Sequence, residues 1–277
     1  FLKKPKHYAQ NVLVDSARKN CENCTRGFMK RFLGILVLGF ILSGKAYAAC
    51  SVASGDISGT TEAEPHTTTY SCENNNTFVL DAEEYASGSD ARITATANNV
   101  TINNSGNLLA TGAGSVITSG AYDTVTVTNT GIIKGTANGI FLGAGDAWEI
   151  DNYGDIYGVA AKAVNIRGGN NTKITNRSDA KIRTGGANAI LMQDSAGDDV
   201  SETLTVDNYG SISAKYNAVK IAVNSTGATI NNYSGATIEA TDSDGNNNNS
   251  KGAIRIDAND VTVVNKGSLI GLGASSS

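Results

Sequence analysis

The sequence predicts an all-β fold, a right-handed parallel β-helix wound in three-strand coils of about 24 residues. Three observations carry this expectation. An Asn recurs at Asn104, Asn129, Asn152, Asn176, Asn208, Asn232 and Asn265, in steps of 25, 23, 24, 32, 24 and 33 residues. A period in the twenties marks a solenoid, where no coil buries its apolar face until the next one stacks on it. The two long steps read as one coil plus an inserted loop of about eight or nine residues.

The second observation is the column pattern. Two residues before each landmark stand Ile102, Val127, Ile150, Ile174, Val206, Ile230 and Val263, all β-branched. Four before stand Val100, Val125, Trp148, Thr172, Leu204, Ala228 and Val261, and between the two columns lie Thr101, Thr126, Glu149, Lys173, Thr205, Thr229 and Thr262. Apolar, polar, apolar is the period of a strand with one buried face. Gly follows at Gly106, Gly131, Gly154, Gly210 and Gly267, where a turn could use positive φ.

Third, two further strands follow at fixed offsets. Leu108, Ile133, Ile156, Ile212 and Leu269 stand four past the landmark. Where Ser178 and Ser234 replace the Gly, Ile182 and Ile238 stand six past it, so those two turns are longer by two residues. The third strand repeats as Ile140 and Leu142, Val164 and Ile166, Ile190 and Met192, Val219 and Ile221, Ile254 and Ile256. Antiparallel hairpins would not repeat their columns coil after coil.

Taken in order, residues 1–28 contain no Met and are expected to be an upstream extension absent from the mature protein. Residues 29–48 have the parts of an export signal. Lys30 and Arg31 form its basic start, Phe32 to Leu42 its apolar run, and Ala46-Tyr47-Ala48 its cleavage site. The apolar run covers only about 16 Å of a bilayer core about 30 Å thick, too little for a spanning helix. Cys50 as a lipid-anchored residue would place Tyr47 where a lipobox has Leu. Cys21 and Cys24 precede the signal without a second ligand pair and are not read as a metal or redox site.

Residues 49–96 read as an amino-terminal cap. Cys50 and Cys72 are the only cysteines of the exported part, and an oxidising compartment predicts a disulfide between them. Residues 97–277 are the β-helix, stopping mid-coil at Ser277 as a truncated one would. Stacked at ~4.8 Å per strand, seven landmarks span roughly 30 Å.

Charge narrows the partners. Residues 1–48 carry nine Lys and Arg against two acids, net +7, and the remainder 13 against 24, net −11. An acidic rod does not gather phosphate backbones, so no nucleic acid is expected as partner. Catalysis, cofactors and metals are not expected either. The exported part has one His, His66, in the cap, and no free Cys, which leaves no Ser-His-Asp or Cys-His arrangement. The dense carboxylates are Asp198 with Asp199 and Asp242 with Asp244, in the inserted loops. They are candidate contact positions. A secreted polysaccharide lyase or glycoside hydrolase, the alternative function, would need such acids paired on a rigid face. Asp242-Ser243-Asp244-Gly245-Asn246 opens like a calcium loop, but no Glu closes it. The Thr column, interrupted by Glu149 and Lys173, reads as a strand's wet face rather than an ice-binding ladder. The Asn column suits a stacked amide ladder, and Tyr153, Tyr209 and Tyr233 beside it could stack likewise.

A signal peptide followed by Gly-, Asn- and Thr-rich coils of Asn-x-Gly-x-Ile pattern resembles the passenger domain of bacterial autotransporters (type V secretion), in particular the self-associating adhesin kind. The resemblance covers about residues 29–277. It implies export through the inner membrane and display at the outer membrane and cell surface, or release. It also implies a carboxyl-terminal β-barrel that this chain does not contain, and a role in adhesion to a host cell or aggregation with neighbouring cells. No catalytic residues carry over, because the Gly-Asp-Ser-Gly-type site of the serine-protease passengers has no counterpart here.

Overall fold

The computed structural model describes residues 48–54, 69–82, 84–89, 92–193, 203–222, 227–241 and 251–271. Their strands form three sheets, and successive strands of a coil go to successive sheets, so each sheet pairs strands one coil apart. This is a right-handed parallel β-helix with three strands per coil. In the first sheet Thr101–Asn104, Thr126–Asn129, Glu149–Asn152, Thr172–Asn176, Leu204–Asn208, Thr229–Asn232 and Thr262–Asn265 pair in register, which puts all seven landmarks in one row. The second sheet runs from Asn107–Ala110 through Ile132–Gly135, Asp155–Gly158, Lys181–Thr184, Ser211–Ala214 and Thr237–Ala240 to Ser268–Gly271. The third pairs Ile140 with Val164, Val164 with Ile190, Ile190 with Val219 and Val219 with Ile254.

The core follows from the alternation. Ile102, Val127, Ile150, Ile174, Val206 and Ile230 of the first sheet are fully buried, as are Leu108, Ile133, Ile156, Ile182, Ile212 and Ile238 of the second. Trp148 sits in the same interior, with its indole Nε1 donating to the Tyr122 carbonyl at 2.6 Å. In the last described coil these columns are exposed, at Val263 and Leu269.

The parallel ladders begin before the first landmark. Tyr70 pairs with Ile93, Phe78 with Ile102 and Ala86 with Leu108, so strands from Thr69 onward already belong to coils. Leu80 stands in the landmark row there, opposite Asn104, which is why the Asn column does not mark this coil. Ahead of it, Ser51–Ser54 lies antiparallel on Thr69–Cys72 and Ala48–Ala49 lies parallel on Asn76–Leu80. These two segments pair strand edges that would otherwise be open. Between them, Cys50 is joined to Cys72 by a disulfide with a Cα–Cα distance of 4.4 Å.

The turns correct one expectation. None of the five landmark glycines adopts positive φ. They are needed for close approach: a Cβ on Gly131 would stand 2.1 Å from the Gly106 carbonyl oxygen, and one on Gly154 2.0 Å from that of Gly131. Left-handed backbone appears instead at the corner entering the first sheet, at Asn75, Asn99, Thr124, Ala147, Asn171, Gly227 and Asp260. Beside that corner, each side-chain oxygen of Asn98, Asp123 and Asp146 accepts the backbone N–H of the coil above, at 2.6–2.9 Å. In the two longer turns Asp179 and Gly235 take up the left-handed conformation.

Candidate functional site

The first sheet turns into the second at the landmark row. There each Asn Nδ2 donates to the Oδ1 of the next Asn, over six successive bonds of 2.7–2.9 Å from Asn104 to Asn265. The same amides reach turn carbonyls, such as those of Gly154 and Lys181 from Asn152, at 3.2 and 3.0 Å. Asn104 is the end rung: its buried Oδ1 has no hydrogen-bond partner, since Leu80 lies where an amide would donate. This row is scaffold, buried from Asn104 to Asn232 and satisfied within itself at every inner rung.

One residue further along the chain, the side chains point to solvent. Tyr153, Arg177, Tyr209 and Tyr233 follow successive landmarks there. Arg177 lies 5.2 Å from the centre of the Tyr153 ring and grips Asp151 through Nε and an Nη nitrogen at 2.6 and 2.9 Å. Tyr209 and Tyr233 stack at 4.0 Å with their planes 7° apart. Asp207 receives the Asn231 amide at 2.9 Å and pairs with Lys173 at 3.8 Å. Hydrogen bonding to Asp151, reinforced by its charge, raises the Arg177 pKa. Tyr233 is pushed up to about 12, first by hydrogen bonding with Tyr209 and then by the charge of Asp207. Tyr153 is 50% exposed and Tyr209 37%.

The second sheet carries a parallel row. Arg183 binds Asp155 at 2.6 Å and lies 4.3 Å from the Tyr157 ring centre, with Lys134 on the same ring at 5.8 Å. On the third sheet Asp257 bonds Arg255 and pairs with Lys220 at 3.7 Å; the Arg255 hydrogen bond, then the two positive charges, lowers its pKa. The rows of the first two sheets place aromatic and charged groups on adjacent strands, ~4.8 Å apart.

No family model, curated protein or solved structure matches the chain. The geometry stands on its own terms.

The residues singled out from sequence divide clearly. Cys50 and Cys72 form the disulfide. Asp198, Asp199, Asp242, Asp244, His66, Cys21 and Cys24 lie outside the described residues. Tyr209 and Tyr233 stack as anticipated, whereas Tyr153 pairs with Arg177 instead. The Thr column lies in register, with Glu149 opposite Lys173 at its centre. Among the described residues no group of three or more His, Cys, Asp or Glu is placed to hold a metal ion. Sequence reading did not single out Arg177, Asp151, Arg183 or Asp155. Their signal was present in the register, because Arg177 and Asp151 stand one residue past one landmark and one before the preceding one.

Proposed function

We propose that this chain is the passenger of an autotransporter, displayed at the outer membrane or released, and acting without catalysis in adhesion or cell-to-cell aggregation. The observation that supports this reading most is the exposed row Tyr153, Arg177, Tyr209 and Tyr233, fixed at strand spacing on a rigid interior. Aromatic rings and guanidinium groups are the side chains that dominate contact surfaces. Repeated along a stacked frame, they suit many weak contacts summed by avidity. The partner in this proposal is a host-cell or neighbouring-cell surface, with self-association as one form of the second, and the anchor is a β-barrel encoded beyond this chain.

Cells displaying the chain are expected to clump, or to bind host cells, above cells displaying a scrambled rod. Indifference in both assays would reduce the chain to a scaffold. A polysaccharide-active enzyme would instead turn over acidic or neutral glycans and lose that activity when Asp198, Asp199, Asp242 and Asp244 are replaced by Asn.

A further inference from the structure

The two longer turns, at Ser178–Asp179 and Ser234–Gly235, belong to coils two apart in the stack. The coil between them makes its turn at Gly210 with two residues fewer. Coils stack ~4.8 Å apart, so the widened turns overhang the narrow one by a gap one layer deep, ~4.8 Å. The result is a slot of about 450 Å³ beside the outer tyrosine row. Gly210 is its floor, and a Cβ there would stand 2.4 Å from the carbonyl oxygens of Arg177 and Ala180.

We propose that this slot binds one sugar ring of a neutral glycan chain. The inference rests on the adhesion reading above and supplies its ligand class. Four features carry it. Ser211, Ser234 and Thr237 line the slot with hydroxyls, each able to donate and to accept, as a polyhydroxylated ring requires. Asp179 and Lys181 bring one charge of each sign, so the lining favours neither an anion nor a cation. Tyr209 forms part of the lining and is held against Tyr233 at 4.0 Å, which presents a fixed phenol rather than a mobile one.

The fourth feature separates a sugar from a peptide. Strand addition needs a run of unpaired backbone groups along a strand, and the strand residues that line the slot already pair with the neighbouring coils. The Ser211 N–H donates to the Ala180 carbonyl at 3.0 Å and that of Thr237 to Gly210 at 2.9 Å. The carbonyls of Ala180, Ser211 and Thr237 accept from the Asn176 and Asn208 amides at 3.3, 3.1 and 3.1 Å. What these strand residues still offer to the slot is their side-chain hydroxyls.

The test uses the full chain with glucose-, galactose- and mannose-type neutral oligosaccharides, an acidic oligosaccharide and a set of extended peptides. Binding is followed by calorimetry and saturation-transfer NMR. At least one neutral oligosaccharide is expected to bind saturably, with Ser211→Trp, which fills the slot, weakening it at least about tenfold. Should that variant fold poorly, the double variant Ser211→Ala/Thr237→Ala is expected to weaken binding at least about threefold. Failure of every neutral oligosaccharide, binding that persists in both variants, or a preference for the acidic oligosaccharide or a peptide would each overturn the proposal. Adhesion is scored in parallel on cells displaying the same variants. Adhesion that survives loss of the slot defeats the sugar proposal and leaves the adhesion reading standing, whereas cells that never adhere defeat the adhesion reading itself.

Discussion

Asn152 and Tyr153 are neighbours in the chain and opposites in role. Asn152 belongs to a row in which seven coils carry the same residue, bonded amide to amide and buried as far as Asn232. Tyr153 belongs to a row reading Ser105, Thr130, Tyr153, Arg177, Tyr209, Tyr233 and Lys266, in which the residue changes from coil to coil and points to solvent. The buried row must repeat because every inner rung has the same two partners, the amides above and below. Nothing in the stacking fixes the exposed one, so its chemistry is free to serve a ligand. The difference separates what the fold demands from what it permits.

Breaking the inner row should cost most. Asn152→Leu keeps the branched outline but strands the Asn176 Oδ1 and takes the acceptor from the Asn129 Nδ2. Urea denaturation is expected to show a loss of about 3 kcal/mol, since buried polar groups left unpaired cost ~1–3 kcal/mol each. Asn104→Leu should cost only about 1 kcal/mol, because its Oδ1 already lacks a partner and one rung is lost rather than two. Equal losses at the two positions would mean the ladder is not what holds the corner.

The outer row should respond more weakly. Tyr209→Ala removes the stack on Tyr233 and is expected to cost about 1 kcal/mol in the same experiment. A loss as large as that of Asn152→Leu would erase the distinction between the rows.

The smallest effect lies at high pH. Tyr233 titrates near 12 in the folded chain rather than near its ordinary 10.0. A raised folded pKa means its contribution is fully present below about pH 10 and is lost as pH rises through 12. A tyrosinate absorbance titration should show one late-ionising component, absent in Tyr233→Phe.

Much of this was readable from sequence, and the reason is the same repetition. The columns at Ile102, Leu108 and Ile140 and their successors are forced by burial, so period and spacing reveal them. Four features were not fully readable. The glycines after the landmark looked like positive-φ residues, but their requirement is the carbonyl of the coil beneath, a contact between residues some two dozen positions apart. The first coil was legible only as the imperfect strands Thr77 to Leu80 and Ile93 to Ala95, because Leu80 replaces the landmark. The slot at Gly210 was half visible: the two extra residues at Ser178 and Ser234 could be counted, but a gap exists only once those turns are stacked on either side of a shorter one. Arg177 and Asp151 could be found only through the register of the Asn row, since exposed rows obey no repeat of their own.

The most direct test of a fixed interior carrying a functional exterior is to replace Tyr153, Arg177, Tyr209 and Tyr233 together with Thr, the residue already present at Thr130. Displaying cells are then scored for adhesion and the purified chain for melting. The fold is expected to survive, with the melting midpoint shifted by no more than about 5 °C, while adhesion and clumping fall to the level of the scrambled rod. A variant that melts normally and adheres as well as the parent would contradict the assignment of function to this row.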